Sequence, residues 1–391
     1  MAATEAGVWG LQDVRDKILA SEWSYTGATE LWVQGNSGSG KLGLNQGSNN
    51  NISSPKQLPG TNWGMGTQCT NTTLNVKSDG TLWAWGANPA GQLGQNNTTV
   101  YSSPRQIPGT TWKTVDASAN HVLATKTDGS LWAWGEGGGR LGLNQNHPQR
   151  PGVSSPMQVG SGTDWEVAIA SGVGQSYGVK TDGTFWAWGD NQIGEQGVND
   201  TTSRSSPMQV GTDTTWTGSM NSYSPSINGY YSMGAVKTDG TLWIWGNNEQ
   251  GMLGLNDQAD RSSPTQIGGT WSMIGSSSYA SAGLQADGTI WAWGRNQYGN
   301  LGQGTSGTPT RKSSPTQIGT ATNWVALANG AFNCQGAVNS SGEFWGWGAN
   351  EDGVLGNDNT SQQDAPVQIP GIYSQTVRPR IQTIGQLYRE L

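Results

Sequence analysis

At 391 residues the chain would ordinarily divide into two or three domains, yet 60 glycines and a charged fraction of 12% point to one large, regular domain. Its 21 tryptophans offer ample apolar surface to bury, which excludes a disordered chain. A formal net charge of −7 without any Lys/Arg cluster excludes the electrostatic footprint of a nucleic-acid binder, and two cysteines, Cys69 and Cys334, without paired spacing make neither a disulfide framework nor a zinc site.

The chain opens on MAATEAGVWGLQDVRDKILASEW, with early acidic residues and no uninterrupted apolar run, so neither a signal peptide nor membrane insertion is expected. Residues 5–23 predict the one good helix: Leu11, Val14, Ile18 and Leu19 share one side, while Asp13, Arg15, Asp16 and Lys17 cover much of the rest. So short an amphipathic helix needs a surface to lie on. Residues 1–22 are therefore read as an attachment segment with Val8, Trp9, Leu11, Val14, Ile18 and Leu19 as its contact residues, a helix capping the chain's own fold being the other reading. The pattern Gly-Val-Trp-x-Leu-Gln-x-Val resembles the opening of virion-associated proteins of tailed phages, fibre and decoration proteins among them; the resemblance covers some twenty residues.

A unit of about fifty residues then recurs seven times. Its marker, Trp-x-Trp-Gly, ends at Gly86, Gly135, Gly189, Gly246, Gly294 and Gly348, with a degenerate first copy from Leu31 to Gly35. In copies two to six an Asp-Gly dipeptide (Asp79, Asp128, Asp182, Asp239 and Asp287) precedes the marker between two strand-like runs, which predicts one β-hairpin per copy. A Gly-rich bend follows, such as residues 88–94, whose glycines permit positive φ. All seven copies carry Pro-x-Gln, from Pro55/Gln57 to Pro366/Gln368; proline cannot donate to a ladder, so this starts an outer strand. One more strand begins near Trp63, Trp112, Trp165, Trp216, Trp271 and Trp324, giving roughly four strands per copy, the size of a propeller blade.

The composite motif Trp-x-Trp-Gly-x-Asn-x-x-Gly-x-Leu-Gly with a following Ser-Ser-Pro resembles the regulator of chromosome condensation repeat over about residues 24–377. That resemblance implies an all-β fold, a seven-bladed β-propeller, here with a short N-terminal helical segment. The expected domains are the attachment segment 1–22, the propeller 23–377 and a C-terminal segment 378–391, whose membership of the closing blade is left open. The first copy lacks the strand before its hairpin and the last ends short by as much; the run 372–377 aligns with 110–115 and is expected to supply it, with Tyr373 and Ser374 where the repeat has Trp. The family member that activates the Ran GTPase has a basic chromatin-binding arm, absent from this acidic chain, so nucleotide exchange is not expected to carry over.

The paired tryptophans, recurring at one point of every copy, read as packing between blades rather than a stacking platform for sugars or bases. His121 and His147 have no carboxylate or cysteine at ligand spacing, so no catalytic residue, metal, cofactor or enzymatic activity is expected. The five Asp-Gly aspartates read as turn residues, and the cysteines as small buried thiols. What differs between copies carries function on a rigid scaffold. In the fifth copy 21 residues separate Trp216 from Lys237, against 14 between Trp112 and Lys126, an insertion of seven bearing Tyr223, Tyr230 and Tyr231. Tyr among Ser, Asn and Gly suits adaptable recognition, so these three are the candidate binding residues, an ordinary long loop being the other reading. Stretches 143–153 and 303–312 extend this variable rim. The expected function is a phage virion structural protein, a fibre, adhesin or decoration protein made in the host cytoplasm. It would dock on other virion proteins through its N-terminal segment and meet a host surface protein or glycan with its propeller. No nucleic acid is expected as a partner, and a homo-oligomer is left open. The alternative is a cellular propeller scaffold or regulator binding a protein partner such as a small GTPase.

Overall fold

The computed structural model describes residues 30–46, 50–69, 71–118, 120–144, 152–171, 174–216, 232–277, 279–328, 333–351, 353–369 and 386–389. Among them the chain is an all-β propeller whose strands form seven antiparallel sheets. Blade 1 shows how the repeat folds: Trp63–Cys69, Thr72–Lys77, Leu82–Gly86 and Tyr101–Ile107 pair in chain order. The second and third strands are joined by the Asp-Gly turn, where Gly80 takes φ 78° and Gly80 N–H bonds back to Lys77 O. Blades 2, 3, 5 and 6 repeat this, starting at Trp112, Trp165, Trp271 and Trp324 and ending at Gln158, Gln209, Gln317 and Ile369. Blade 4 has three strands, Ser232–Val236, Leu242–Gly246 and Arg261–Ile267, and in place of a first strand Trp216 makes a single bridge to Lys237. First strands of blades 1, 2 and 3 pack successively on one another, as do those of 5 and 6, which sets them toward the axis.

Where the sequence predicts seven blades, the structure has six built from consecutive strands. The reason is that the first copy contributes only Glu30–Gly35 and Ile52–Gln57, the counterparts of a third and fourth strand. These form a composite three-stranded sheet with Gln386–Arg389, in which Leu31 faces Tyr388 and Trp32 faces Leu387. The strand that the C-terminal end adds is thus Gln386–Arg389, in the position of a second strand; the run 372–377 lies outside the described residues. The predicted N-terminal helix, residues 5–23, also lies outside them. The described residues contain no α-helix, only 3₁₀ turns at Gly38–Gly40, Gly139–Leu141 and Thr308–Thr310.

Neighbouring sheets are held by the second tryptophan of each marker. Trp85, Trp134, Trp188, Trp245, Trp293 and Trp347 are fully buried. Each donates its indole N–H back to a carbonyl of the preceding Gly-rich loop, those of Lys41, Gln92, Arg140, Glu195, Met252 and Asn300, at 2.8–3.0 Å. Burying an indole while satisfying its one donor gains both apolar area and about 1 kcal/mol of net hydrogen bond. The Leu-Gly of the loop is fixed by this contact: a Cβ on Gly94 would stand 3.1 Å from Trp134 Nε1. The loop itself is pinned by a buried Asn, as where Asn88 Oδ1 accepts from Leu93 N–H at 2.9 Å and Nδ2 donates to the carbonyls of Asn97 and Thr99.

Contacts also run forward. Two residues after the Leu-Gly of the loop, or after Gln196-Gly197 in blade 3, Asn45, Asn96, Asn144, Asn199, Asn256 and Asp358 adopt left-handed backbone, φ 55–62°, a region these short polar side chains tolerate. Their N–H groups reach the next sheet's fourth strand at Ser102, Ser154, Ser205, Ser262, Ser313 and Ser53, at 2.7–3.2 Å, and Gly304 does the same to Asp364. Because Asp358 of blade 6 bonds Ser53 of the composite sheet, and Asn45 of that sheet bonds Ser102 of blade 1, the series returns to its start.

Candidate binding surfaces

At the hairpin end of the blades, Asp79 accepts from Thr81 N–H at 2.9 Å and from its hydroxyl at 2.6 Å, and that oxygen accepts from Trp83 Nε1 at 2.9 Å. The same relay runs through Asp128, Asp182, Asp239 and Asp287 to Trp132, Trp186, Trp243 and Trp291. The hydroxyl bond from Thr81 is the main reason Asp79 stays below the usual carboxylate range. These aspartates are turn residues and do not converge as a carboxylate ring. In blades 1 to 4 a lysine two residues earlier lies over the tryptophans of its own blade: Lys126 Nζ stands 3.8 Å from the Trp132 ring centroid and 4.8 Å from that of Trp112. Lys77, Lys180 and Lys237 are placed likewise, at 4.1–5.1 Å.

At the loop end, blades 2 and 3 meet in a polar seam. His121 is fully buried: Ser118 Oγ lies 2.6 Å from Nδ1, and Nε2 lies 2.9 Å from Ser176 Oγ, which itself donates to Arg140 O at 2.7 Å. That chain assigns the proton to Nε2 and an acceptor role to Nδ1. Burial, helped by the Arg140 guanidinium, lowers the imidazole to about 3, so the ring is neutral and has no free nitrogen to act as a base. Glu195 is buried too; desolvation raises its carboxyl even though it accepts from Gln175 Nε2 at 3.1 Å and Ile193 N–H at 2.7 Å. Toward the surface, Arg140 pairs with Glu136 at 2.8 Å, and half-buried Asp190 is raised by its own desolvation against the opposing pull of Arg140. Such a seam can recognise a polar partner, but it presents no activated nucleophile. Cys334 is equally inert, its buried thiol pushed up to about 12. Among the described residues no three His, Cys, Asp or Glu groups gather as metal ligands.

Tyr223, Tyr230 and Tyr231 lie outside the described residues, as do Val8, Trp9, Leu11, Val14, Ile18 and Leu19; of the insertion only the flanking Trp216 and Ser232 are described. Sequence reasoning missed the seam in which Glu136, Arg140 and His121 of blade 2 meet Ser176 and Asp190 of blade 3 across the boundary. It also passed over the Lys-x-Asp-Gly pattern at Lys77, Lys126, Lys180 and Lys237, which was open to reading.

The Regulator of chromosome condensation (RCC1) repeat matches residues 79–125, 239–283, 287–334 and 341–384. With the fold above, the molecule is an all-β propeller, four stretches of which match the RCC1 repeat. In sequence the chain is 28% identical over 213 residues to the Ultraviolet-B receptor UVR8 of Arabidopsis thaliana, a match spanning 51% of this chain and 45% of the receptor, less than half of that relative's length. In structure it is similar to human WBSCR16, with a TM-score of 0.78 at 19% identity over 92% of this chain and 98% of that one. Prp20p of Saccharomyces cerevisiae gives 0.76 at 19% over 94% and 93%. At such identities the likeness shows the fold. None of these relatives is a virion protein, and the segment that resembles phage proteins lies outside the described residues. Of the two expected functions, these comparisons fit the alternative, a propeller scaffold or regulator, better than a phage structural protein.

Proposed function

We propose that this chain is a non-catalytic propeller that serves as a scaffold or regulator by binding a partner protein, a small GTPase being one such partner. The carrying observation is a division between the side chains. Those that recur in every blade are consumed in joining sheets, while the individual ones, Glu136, Arg140 and Asp190, reach the surface at a single blade boundary. Supporting it, Prp20p is described with binding properties to Gsp1p and histones, and yeast RCC1 (Prp20) in a complex with Kap60. A role without catalysis, metal or organic cofactor accords with a sealed neutral His121 and an inert Cys334. We further propose that the composite sheet acts as the ring's seventh blade, supported by its bonds to both neighbours through Ser53 and Asn45.

The test is site-specific photo-cross-linking. A photoreactive amino acid replacing Glu136, at the loop end, is expected to capture one defined protein from extracts of the source cells, and the same group replacing exposed Lys113, at the hairpin end, is expected to capture none. The charge reversal Arg140→Glu should abolish capture. No product from position 136, or equal products from both positions, would overturn the proposal.

A further inference from the structure

In blades 1 to 4 the residue facing the first-strand tryptophan across the ladder is a lysine: Trp63 opposite Lys77, Trp112 opposite Lys126, Trp165 opposite Lys180 and Trp216 opposite Lys237. Each ammonium lies over two indole faces of its own blade. Blade 5 keeps the register and both tryptophans, Trp271 and Trp291, but has Gln285 where the lysine belongs. A cavity of about 450 Å³ opens there between blades 4 and 5, lined by Trp271, Gln285 and Trp291 with Leu255, Ile267 and Pro315 as apolar walls. Asp287 keeps its turn and its relay to Trp291, yet it lacks the neighbouring ammonium that helps lower Asp79, Asp128, Asp182 and Asp239. Blade 6 also has no lysine, but Glu343 is bonded there to Asn339 Nδ2 at 2.6 Å and to Gln368 Nε2 at 3.0 Å, so polar side chains of the blade itself occupy the position.

We propose that the groove between blades 4 and 5 receives a lysine side chain of a partner protein, whose ammonium displaces the Gln285 amide beside Trp271, itself only 2% exposed, and takes over Trp271 and Trp291 the position held within the chain by Lys77, Lys126, Lys180 and Lys237. The four sibling blades supply the receptor chemistry: paired indole faces attract a cation, and a carboxylate two residues beyond the missing lysine adds a favourable field. The apolar walls accept the four-carbon stem while the head stays near water. Charge complementarity points the same way, since a chain of net charge −7 favours a basic partner. The inference rests on the protein-binding reading above. Its test uses a small probe in place of the partner, so the groove and that reading succeed or fail separately.

The full-length chain, with ¹⁵N-labelled tryptophan and the Trp291 indole signal assigned through Trp291→Phe, is titrated with N-acetyl-lysine methylamide. A saturable shift of the Trp291 Nε1–H signal is expected, with the uncharged norleucine analogue binding about two- to fivefold more weakly. Gln285→Lys, which supplies the cation from within, should abolish the response, while Gln285→Met, which supplies none, should keep it. Equal binding of the norleucine analogue, a response to methyl glucoside in place of the lysine probe, loss of binding in both variants, persistence in Gln285→Lys, or no saturable shift would each overturn the assignment.

Discussion

His121 shows what burial does to a single residue and how that is measured. Unfolded, the ring takes a proton below about pH 6.5; folded, it resists down to about 3, because the charged form would sit desolvated between Ser118 and Ser176. In this window the unfolded chain binds the extra proton, so the contribution of His121 is complete above 6.5 and is lost progressively as pH falls toward 3. Between pH 7.5 and 5 this amounts to at most about 2 kcal/mol. Urea unfolding at the two pH values should show wild type losing more stability than His121→Gln; an equal loss in both would rule out a buried neutral imidazole. The raised carboxyls of Glu195 and Asp190 act in the opposite sense on acidification but are common to both proteins. Sequence alone read His121 as an improbable metal ligand or base. It did not reveal the seam, since Ser176 is 55 positions away and nothing local signals that they meet.

Among elements, the Gly-rich loop separates two costs that one residue type can hide. Gly91 and Gly160 both have positive φ, 79° and 63°, but a Cβ on Gly91 would stand 2.6 Å from Ser154 Cα in the next blade, and one on Gly160 would meet nothing within 4 Å. Gly160→Ala should therefore cost about 1–2 kcal/mol of backbone strain alone, and Gly91→Ala at least about 3 kcal/mol, since the blade boundary must shift. Denaturant midpoints of the two variants check this; equal losses would mean that the boundary yields freely. The strands and hairpins were legible because Trp-x-Trp-Gly, Asp-Gly and Pro-x-Gln are local signals repeated many times. The left-handed residue two positions past Leu-Gly was not, because its N–H serves a serine of the next sheet. The strand pairing with Leu31 and Trp32, the four-residue Gln386–Arg389, was not legible because it is too short to show a pattern; the run 372–377, to which alignment with the repeat pointed, lies outside the described residues.

At the scale of the molecule, the composite sheet draws on segments from far ends of the chain, and removing one of them should be felt throughout. Deleting 386–391 takes away the strand beside Glu30–Gly35 and bares a row of backbone donors and acceptors. The truncated protein should melt at least about 3 °C lower and self-associate on size exclusion; unchanged melting and a single monomeric peak would show that Gln386–Arg389 contributes nothing to closure. The links between sheets also impose an order on folding. Six of them join residues 57 to 63 positions apart, from Asn45 with Ser102 to Asn199 with Ser262, and can form as soon as adjoining segments of chain exist. The remaining one, Asp358 with Ser53, spans 358 − 53 = 305 positions. Closing that longer loop from an otherwise disordered chain costs roughly 1.5 kcal/mol more in chain entropy than closing a neighbour link. With the blades between already formed, most of that cost has been met. The ring thus zips along its length like a repeat array and shuts last, so the slowest folding step belongs to the one junction where early and late parts of the sequence meet.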